Sequence, residues 1–200
     1  MSDKTHSSSR NREAASHSRI VVMGVSGCGK STVGKLLAEH LGARFIDGDD
    51  LHTKSNKDKM AAGNPLNDID RLPWLDLVGA ALFGAPNPVD VFELVKPTGT
   101  VVACSALKRA YRERILQKAP GTFFLHLHGT PELLESRMKA REGHFMTANM
   151  LAGQLETLEP LQADEAGMIC DISLPADEIV RRVLADHLGH EQGLAIRRVI

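Results

Sequence analysis

The sequence predicts an α/β fold of three layers: a five-stranded, mostly parallel sheet with helices on both faces. Three observations carry this. Short β-rich apolar runs alternate with amphipathic segments along the chain. The runs are near-continuously apolar, as strands buried on both faces must be. The first run also ends in a glycine-rich turn that opens a helix.

Taken in order, residues 1–18 (MSDKTHSSSRNREAASHS) are rich in serine and charge and hold almost nothing to bury, which predicts a disordered tail. Asp3 and Glu13 argue against a transit peptide, since such peptides avoid acids. Residues 19–200 read as one domain. Strands are expected at Ile20–Met23, Arg44–Asp47, Thr100–Cys104, Phe123–Leu127 and Met168–Ile172. Helices are expected at Lys30–Leu41, Asp70–Phe83, Lys108–Lys118, Pro131–Arg141 and Ala176–Leu188, in the alternation that βαβ units require. Thr130-Pro131-Glu132 is a helix start, with a capping threonine, proline at the first helical position and an acid in the first turn. The Pro/Gly-rich stretch 84–99 reads as a loop.

Composition narrows the function classes. The 200 residues, 42% hydrophobic and 24% charged, are enough for one core. A formal net charge of -1 removes any global attraction to nucleic acid or an anionic membrane. Cys28, Cys104 and Cys170 are widely separated and form no C-x-x-C pair, which suggests neither a disulfide framework nor a zinc site and fits a reducing compartment. No apolar run approaches the roughly 20 residues of a membrane span, and no secretory signal precedes the domain, so a cytoplasmic location is expected.

Gly24-Val25-Ser26-Gly27-Cys28-Gly29-Lys30-Ser31 matches G-x-x-x-x-G-K-[ST], with a strand before it and a helix after it. Glycines let the backbone aim its N–H groups inward, and the helix adds the positive end of its dipole, so the loop is an anion cradle. Lys30 is expected to reach the β- and γ-phosphates of ATP, and the Ser31 hydroxyl to take a Mg²⁺ position, with Thr32 completing the site. The expected architecture is therefore that of a P-loop kinase. Cys28 reads as a buried inert thiol, with an oxidation-sensitive one as the alternative.

A nucleotide loop alone does not name the acceptor. Asp47-Gly48-Asp49-Asp50 ends a strand beside the loop, with Asp49 the candidate general base, Asp47 the metal-side carboxylate and Asp50 a helix cap. Asn67 to Trp74 gives a capped helix start in which Arg71 offers a guanidinium fork for a substrate carboxylate, against a surface pairing with Asp68 or Asp70. Trp74 reads as core. Lys108 and Arg109 follow the third strand as cations near the transfer site. Arg137 and Arg141, four residues apart, mark a helical lid over roughly 137–150 that closes on ATP and stabilises the transferring charge.

Together the motifs resemble the gluconate kinase family. The resemblance runs from Ile20 to Leu188 through GVSGCGKST, DGDDLH at 47–52, NKDKMAAGNPLNDIDRLPWL at 56–75, CSALKRAYR at 104–112, ESRMKAREGHFM at 135–146 and LETLEPLQADE at 155–165. It implies transfer of phosphate from ATP to D-gluconate, in a homodimer. It also implies that Asp49 and His52 contact the sugar acid, Arg71 its carboxylate, and Lys108 the polyol or the transferring phosphate. The catalytic set is then Lys30, Asp49 and Arg141. A kinase for another hydroxy acid such as shikimate, or a nucleotide-binding regulator without turnover, is the alternative. The tail and the long segment 80–100 depart from the family pattern.

Overall fold

The computed structural model describes residues 18–84, 97–140, 148–189 and 197–199. The expected tail apart from Ser18, most of the 84–99 loop, and Arg141 with the centre of the expected lid lie outside these residues.

All five expected strands form, with ends shifted by no more than two residues: β1 (Ser18–Met23), β2 (Arg44–Asp47), β3 (Gly99–Ala103), β4 (Phe123–His128) and β5 (Gly167–Asp171). A short β6 (Arg197–Val199) adds a sixth strand beyond β5. The order is β2-β3-β1-β4-β5-β6, and every neighbouring pair is parallel. β1 is central, and its side chains divide between two cores. Ile20 and Val22 pack with Val33 and Leu37 of α1 (Lys30–Leu41) and with Ile179 and Val183 of α7 (Ala176–Gly189). Val21 and Met23 face Trp74 and Val78 of α3 (Asp68–Leu82) and Ile115 of α4 (Arg109–Lys118). Both sides of the strand are dry, which is why the sequence there is apolar without alternation. Each such aliphatic side chain contributes roughly 1.5–3 kcal/mol by leaving water.

The helix starts follow local chemistry. Asn67 accepts from the Asp70 N–H while Asp70 accepts from the Asn67 N–H, a reciprocal box that starts α3 two residues earlier than expected. Thr130 caps α5 (Pro131–Lys139) as expected, its hydroxyl accepting from Leu133 N. α2 (Lys54–Ala61) was not foreseen, and α6 (Ala148–Thr157) begins at the end of the expected helical lid and runs on beyond it. α2 buries only Asn56 and so has no apolar stripe to read. Gly34 lets α1 settle on β2, since a Cβ there would lie 2.6 Å from a Phe45 ring carbon.

Candidate active site

β1 delivers the chain at the carboxyl edge of the sheet into the loop Gly24–Gly29, and α1 begins at Lys30. Gly24, Gly27 and Gly29 have φ of 138°, 81° and 95°, a backbone that L side chains rarely adopt. At Gly24 a Cβ would also lie 2.6 Å from the Leu127 carbonyl oxygen. The N–H groups of Gly27, Gly29, Lys30 and Ser31 have no acceptor among the described residues, and the first turn of α1 carries no acid. That is a cradle of open donors at a helix N-terminus, suited to a phosphate chain. Lys30 Nζ donates to Val25 O at 3.0 Å, holding its charge over the first half of the loop. Cys28 is buried, in line with the inert reading.

The strand order brings β2 to the same edge with β3 between it and β1. Ser31 Oγ donates to Asp47 Oδ2 at 2.9 Å, and Asp47 Oδ1 accepts from Asp49 N at 3.1 Å, capping the single 3-10 turn Gly48–Leu51. Asp50 therefore caps no helix, contrary to expectation: Asp47 caps this turn and Thr53 caps α2, because the turn breaks before α2 begins. The Asp49 carboxylate is 88% exposed, with an oxygen 4.0 Å from His52 Nε2. His52 is buried, stacked on Trp74 at 4.3 Å, and its Nδ1 lies 3.5 Å from Asn56 Nδ2. Burial lowers its pKa, and Arg71 and Lys57 lower it further against the pull of Asp49, so the imidazole is neutral at pH 7. Trp74 is core as expected, and its Nε1 donates to Gly48 O at 2.7 Å, tying α3 to the acidic turn.

The cations gather from α3 and α4. Lys108 Nζ lies 2.9 Å from both Asp68 oxygens, and Tyr111 Oη donates to Asp68 Oδ1 at 2.5 Å. These hydrogen bonds, from Lys108 first and Tyr111 second, lower the Asp68 pKa, while the same contact raises that of Lys108. Lys59 takes Asp70 at 2.6 Å. With both acids engaged elsewhere, Arg71 is left with a 3.5 Å bond to Leu66 O and lies 5.9 Å from the Tyr111 ring centroid. Arg109 is drawn away from the site to Asp164 and Glu113.

The turn from β3 into α4 contains Ala106, at φ 41° the only non-glycine of positive φ among the described residues. Ser105 O accepts from Gly24 N, joining this turn to the phosphate loop. Arg112 holds the turn from below: its Nη1 donates to the carbonyls of Ala106 and Leu107, while Nε and Nη2 clasp Glu165 at 2.5 and 2.9 Å. On the other side of the loop, Arg137 Nη2 donates to Ile172 O at 2.6 Å, and its Nη1 would lie 3.9 Å from a Cβ on Gly29. The acids Glu132 and Glu135 do not hold it; Glu135 pairs with Lys139.

Sequence reasoning missed the Asp68–Tyr111 pair, the Arg112–Glu165 clasp and Gln154, whose Oε1 accepts from Ser26 N at 2.6 Å. Asp68, Tyr111, Arg112 and Glu165 lie inside motifs already singled out. Gln154 lies one residue before one, with no pattern to mark it. For a metal, Ser31 and Asp47 supply adjacent hard oxygen donors, and no cluster of three or more His, Cys, Asp or Glu suited to a metal occurs among the described residues.

A family model for shikimate kinase matches residues 26–66. The thermoresistant gluconokinase of Escherichia coli (strain K12) is 42% identical over 165 residues, covering 82% of this chain and 90% of that protein. The chain belongs to the gluconokinase family. Another gluconokinase, from Gluconobacter oxydans (strain 621H), is 46% identical over 73% of this chain and 78% of its own length. Among solved structures, a gluconokinase from Sinorhizobium meliloti 1021 aligns with a TM-score of 0.72 at 45% identity, covering 84% of this chain and 90% of that one. A shikimate kinase from Aquifex aeolicus vf5, at 14% identity and a TM-score of 0.53, shares the fold alone. The gluconokinase family thus carries the P-loop kinase architecture seen here.

Proposed function

We propose that this protein transfers the γ-phosphoryl group of ATP to D-gluconate, giving 6-phospho-D-gluconate and ADP. The observation that carries this is the likeness to gluconokinases, 42% identity across 82% of the chain. The acceptor hydroxyl oxygen bonds to the γ-phosphorus, the bond to the β–γ bridging oxygen breaks, and the hydroxyl proton passes to Asp49. Asp49 suits this role because its carboxylate is open to an incoming substrate.

The loop from Gly24 to Thr32 holds the phosphates through its N–H groups. Lys30, its Nζ held at Val25 O, turns its remaining donors to the terminal phosphates, and Arg137 flanks the nucleotide beside the loop. Arg71 receives the gluconate carboxylate, while Lys108 and His52 line the polyol. Arg141 is assigned to the transferring charge from its place in the sequence. Ser31 and Asp47 would hold Mg²⁺, which when bound neutralises charge building on the phosphates. A homodimer and a cytoplasmic location belong to the same reading. Ile69 and Leu72, both exposed on α3, are apolar surface available to a second copy, and light scattering measures the mass.

ADP release with Mg·ATP, coupled to a reporter, tests the proposal with D-gluconate beside shikimate, glucose, glycerate and no acceptor. Turnover confined to gluconate is expected. Turnover with shikimate alone would replace the substrate and leave the phosphate site standing, and binding of ATP with no turnover would favour a regulator. The shikimate kinase match does not favour the first of these, because it ends at residue 66, before Arg71 and Lys108.

A further inference from the structure

Gln154 lies on α6, remote in sequence from every motif of the phosphate site, yet its side chain is seated on the phosphate loop. Its Oε1 accepts from Ser26 N at 2.6 Å across a separation of 128 residues. A backbone N–H can only donate, so the atom facing it must be the carbonyl oxygen, and the orientation of the amide is fixed. The other end, Nε2, has no hydrogen-bond partner among the described residues. An oriented amide donor is therefore held at the rim of an anion cradle.

The position along the cradle is set by Lys30. Its ammonium, the group that serves the β- and γ-phosphates in such loops, lies 3.0 Å from Val25 O, one residue before Ser26. Lys30 and Gln154 thus flank the same two-residue stretch, at the end of the loop where the terminal phosphate belongs. The open N–H groups of Gly27, Gly29, Lys30 and Ser31 continue from there toward α1. α6 is held firmly enough to aim the side chain. Leu151 is 2% exposed in the core, and Glu159 N, just beyond the helix, donates to Leu107 O at 2.8 Å in the β3–α4 turn.

We propose that Gln154 is a γ-phosphate-binding residue, its Oε1 anchored on the Ser26 N–H and its Nε2 donating to a terminal phosphate oxygen of ATP. The inference rests on the ATP-dependent reading above and adds to it a residue that distinguishes ATP from ADP. A hydrogen bond to a charged oxygen supports a loss of about tenfold or more in affinity when the donor is removed.

Calorimetric titration of the full chain with Mg·ADP and with a non-hydrolysable Mg·ATP analogue tests this in wild type, Gln154→Ala and Gln154→Glu. Glutamate keeps the acceptor for Ser26 N–H and replaces the donor with an oxygen. Both variants are expected to bind ADP as wild type does and to bind the ATP analogue at least about tenfold more weakly, Gln154→Glu the more severely. An equal loss for both nucleotides would reduce Gln154 to a brace for the loop and overturn the proposal, as would no loss for either. Should Gln154→Ala not fold, Gln154→Met, of similar length and with neither the donor nor a new charge, decides in its place. Wild-type turnover on gluconate is read separately, so a failure of the substrate assignment is not mistaken for a failure of this one.

Discussion

Charge placement at single residues sets how the site works and how it fails. Asp49 is exposed at the end of the acidic turn and is the base in the proposed transfer, so Asp49→Asn is expected to lower kcat by about 10² or more while gluconate binding stays measurable. Single-turnover and equilibrium binding measurements separate the two; near-wild-type turnover would remove Asp49 from the role. Arg71 is not committed to either neighbouring acid, and Arg71→Ala should raise the gluconate KM about tenfold with a smaller effect on kcat. An unchanged KM would rule out the carboxylate contact.

His126, on β4, is a different kind of residue. It is 1% exposed, neither ring nitrogen has a hydrogen-bond partner among the described residues, and burial, then His128 and Arg112, push its pKa down to about 4. The unfolded chain takes up this proton near pH 6.5, well before the folded one does. The stability that neutral His126 provides is therefore complete above about pH 6.5 and is lost as pH falls toward 4, on the order of 3 kcal/mol. His126→Leu should flatten that part of the stability profile in urea titrations between pH 7 and 4.

Among the elements, the β3–α4 turn shows how a strained backbone is kept. Ala106 at φ 41° carries a cost of about 1–2 kcal/mol, and Arg112 secures its carbonyl from within the core. The Arg112 and Glu165 side chains are 0% and 5% exposed. Burial would raise the Glu165 pKa, but the Arg112 and Gln162 hydrogen bonds outweigh it and hold it low. Removing one partner strands a buried charge, so Arg112→Met alone should cost about 3–5 kcal/mol in chemical denaturation, and Arg112→Met with Glu165→Leu should recover most of it. The carbonyls that Arg112 also serves decide how complete that recovery is. On the opposite face, Gly34→Ala drives a methyl to 2.6 Å from the Phe45 ring and is expected to destabilise by roughly 1–3 kcal/mol through the α1–β2 contact.

For the molecule as a whole, one parallel sheet brings the ends of β1, β2 and β3 to one edge, where the phosphate loop, the acidic turn and the β3–α4 turn meet. A ligand bound only by this assembled edge stabilises the whole fold. At a hundred times its dissociation constant, a Mg·ATP analogue should add about 2.7 kcal/mol, seen as a rise in Tm of a few degrees. Lys30→Ala should remove most of that rise, and chelating the metal should reduce it.

The sequence by itself determined the alternation of strand and helix, the phosphate loop with its flanking elements, the caps at Asn67 and Thr130, and the family. These rest on periodicity and on short-range backbone chemistry, which neighbouring residues encode. α2 escaped because a polar helix has no stripe, and β6 because three residues show no period. Only the tertiary structure decided that Lys108 meets Asp68 across 40 residues and Ser26 meets Gln154 across 128. Periodicity reports that a residue is buried, not against what, so these partners follow from the order in which the strands lie side by side.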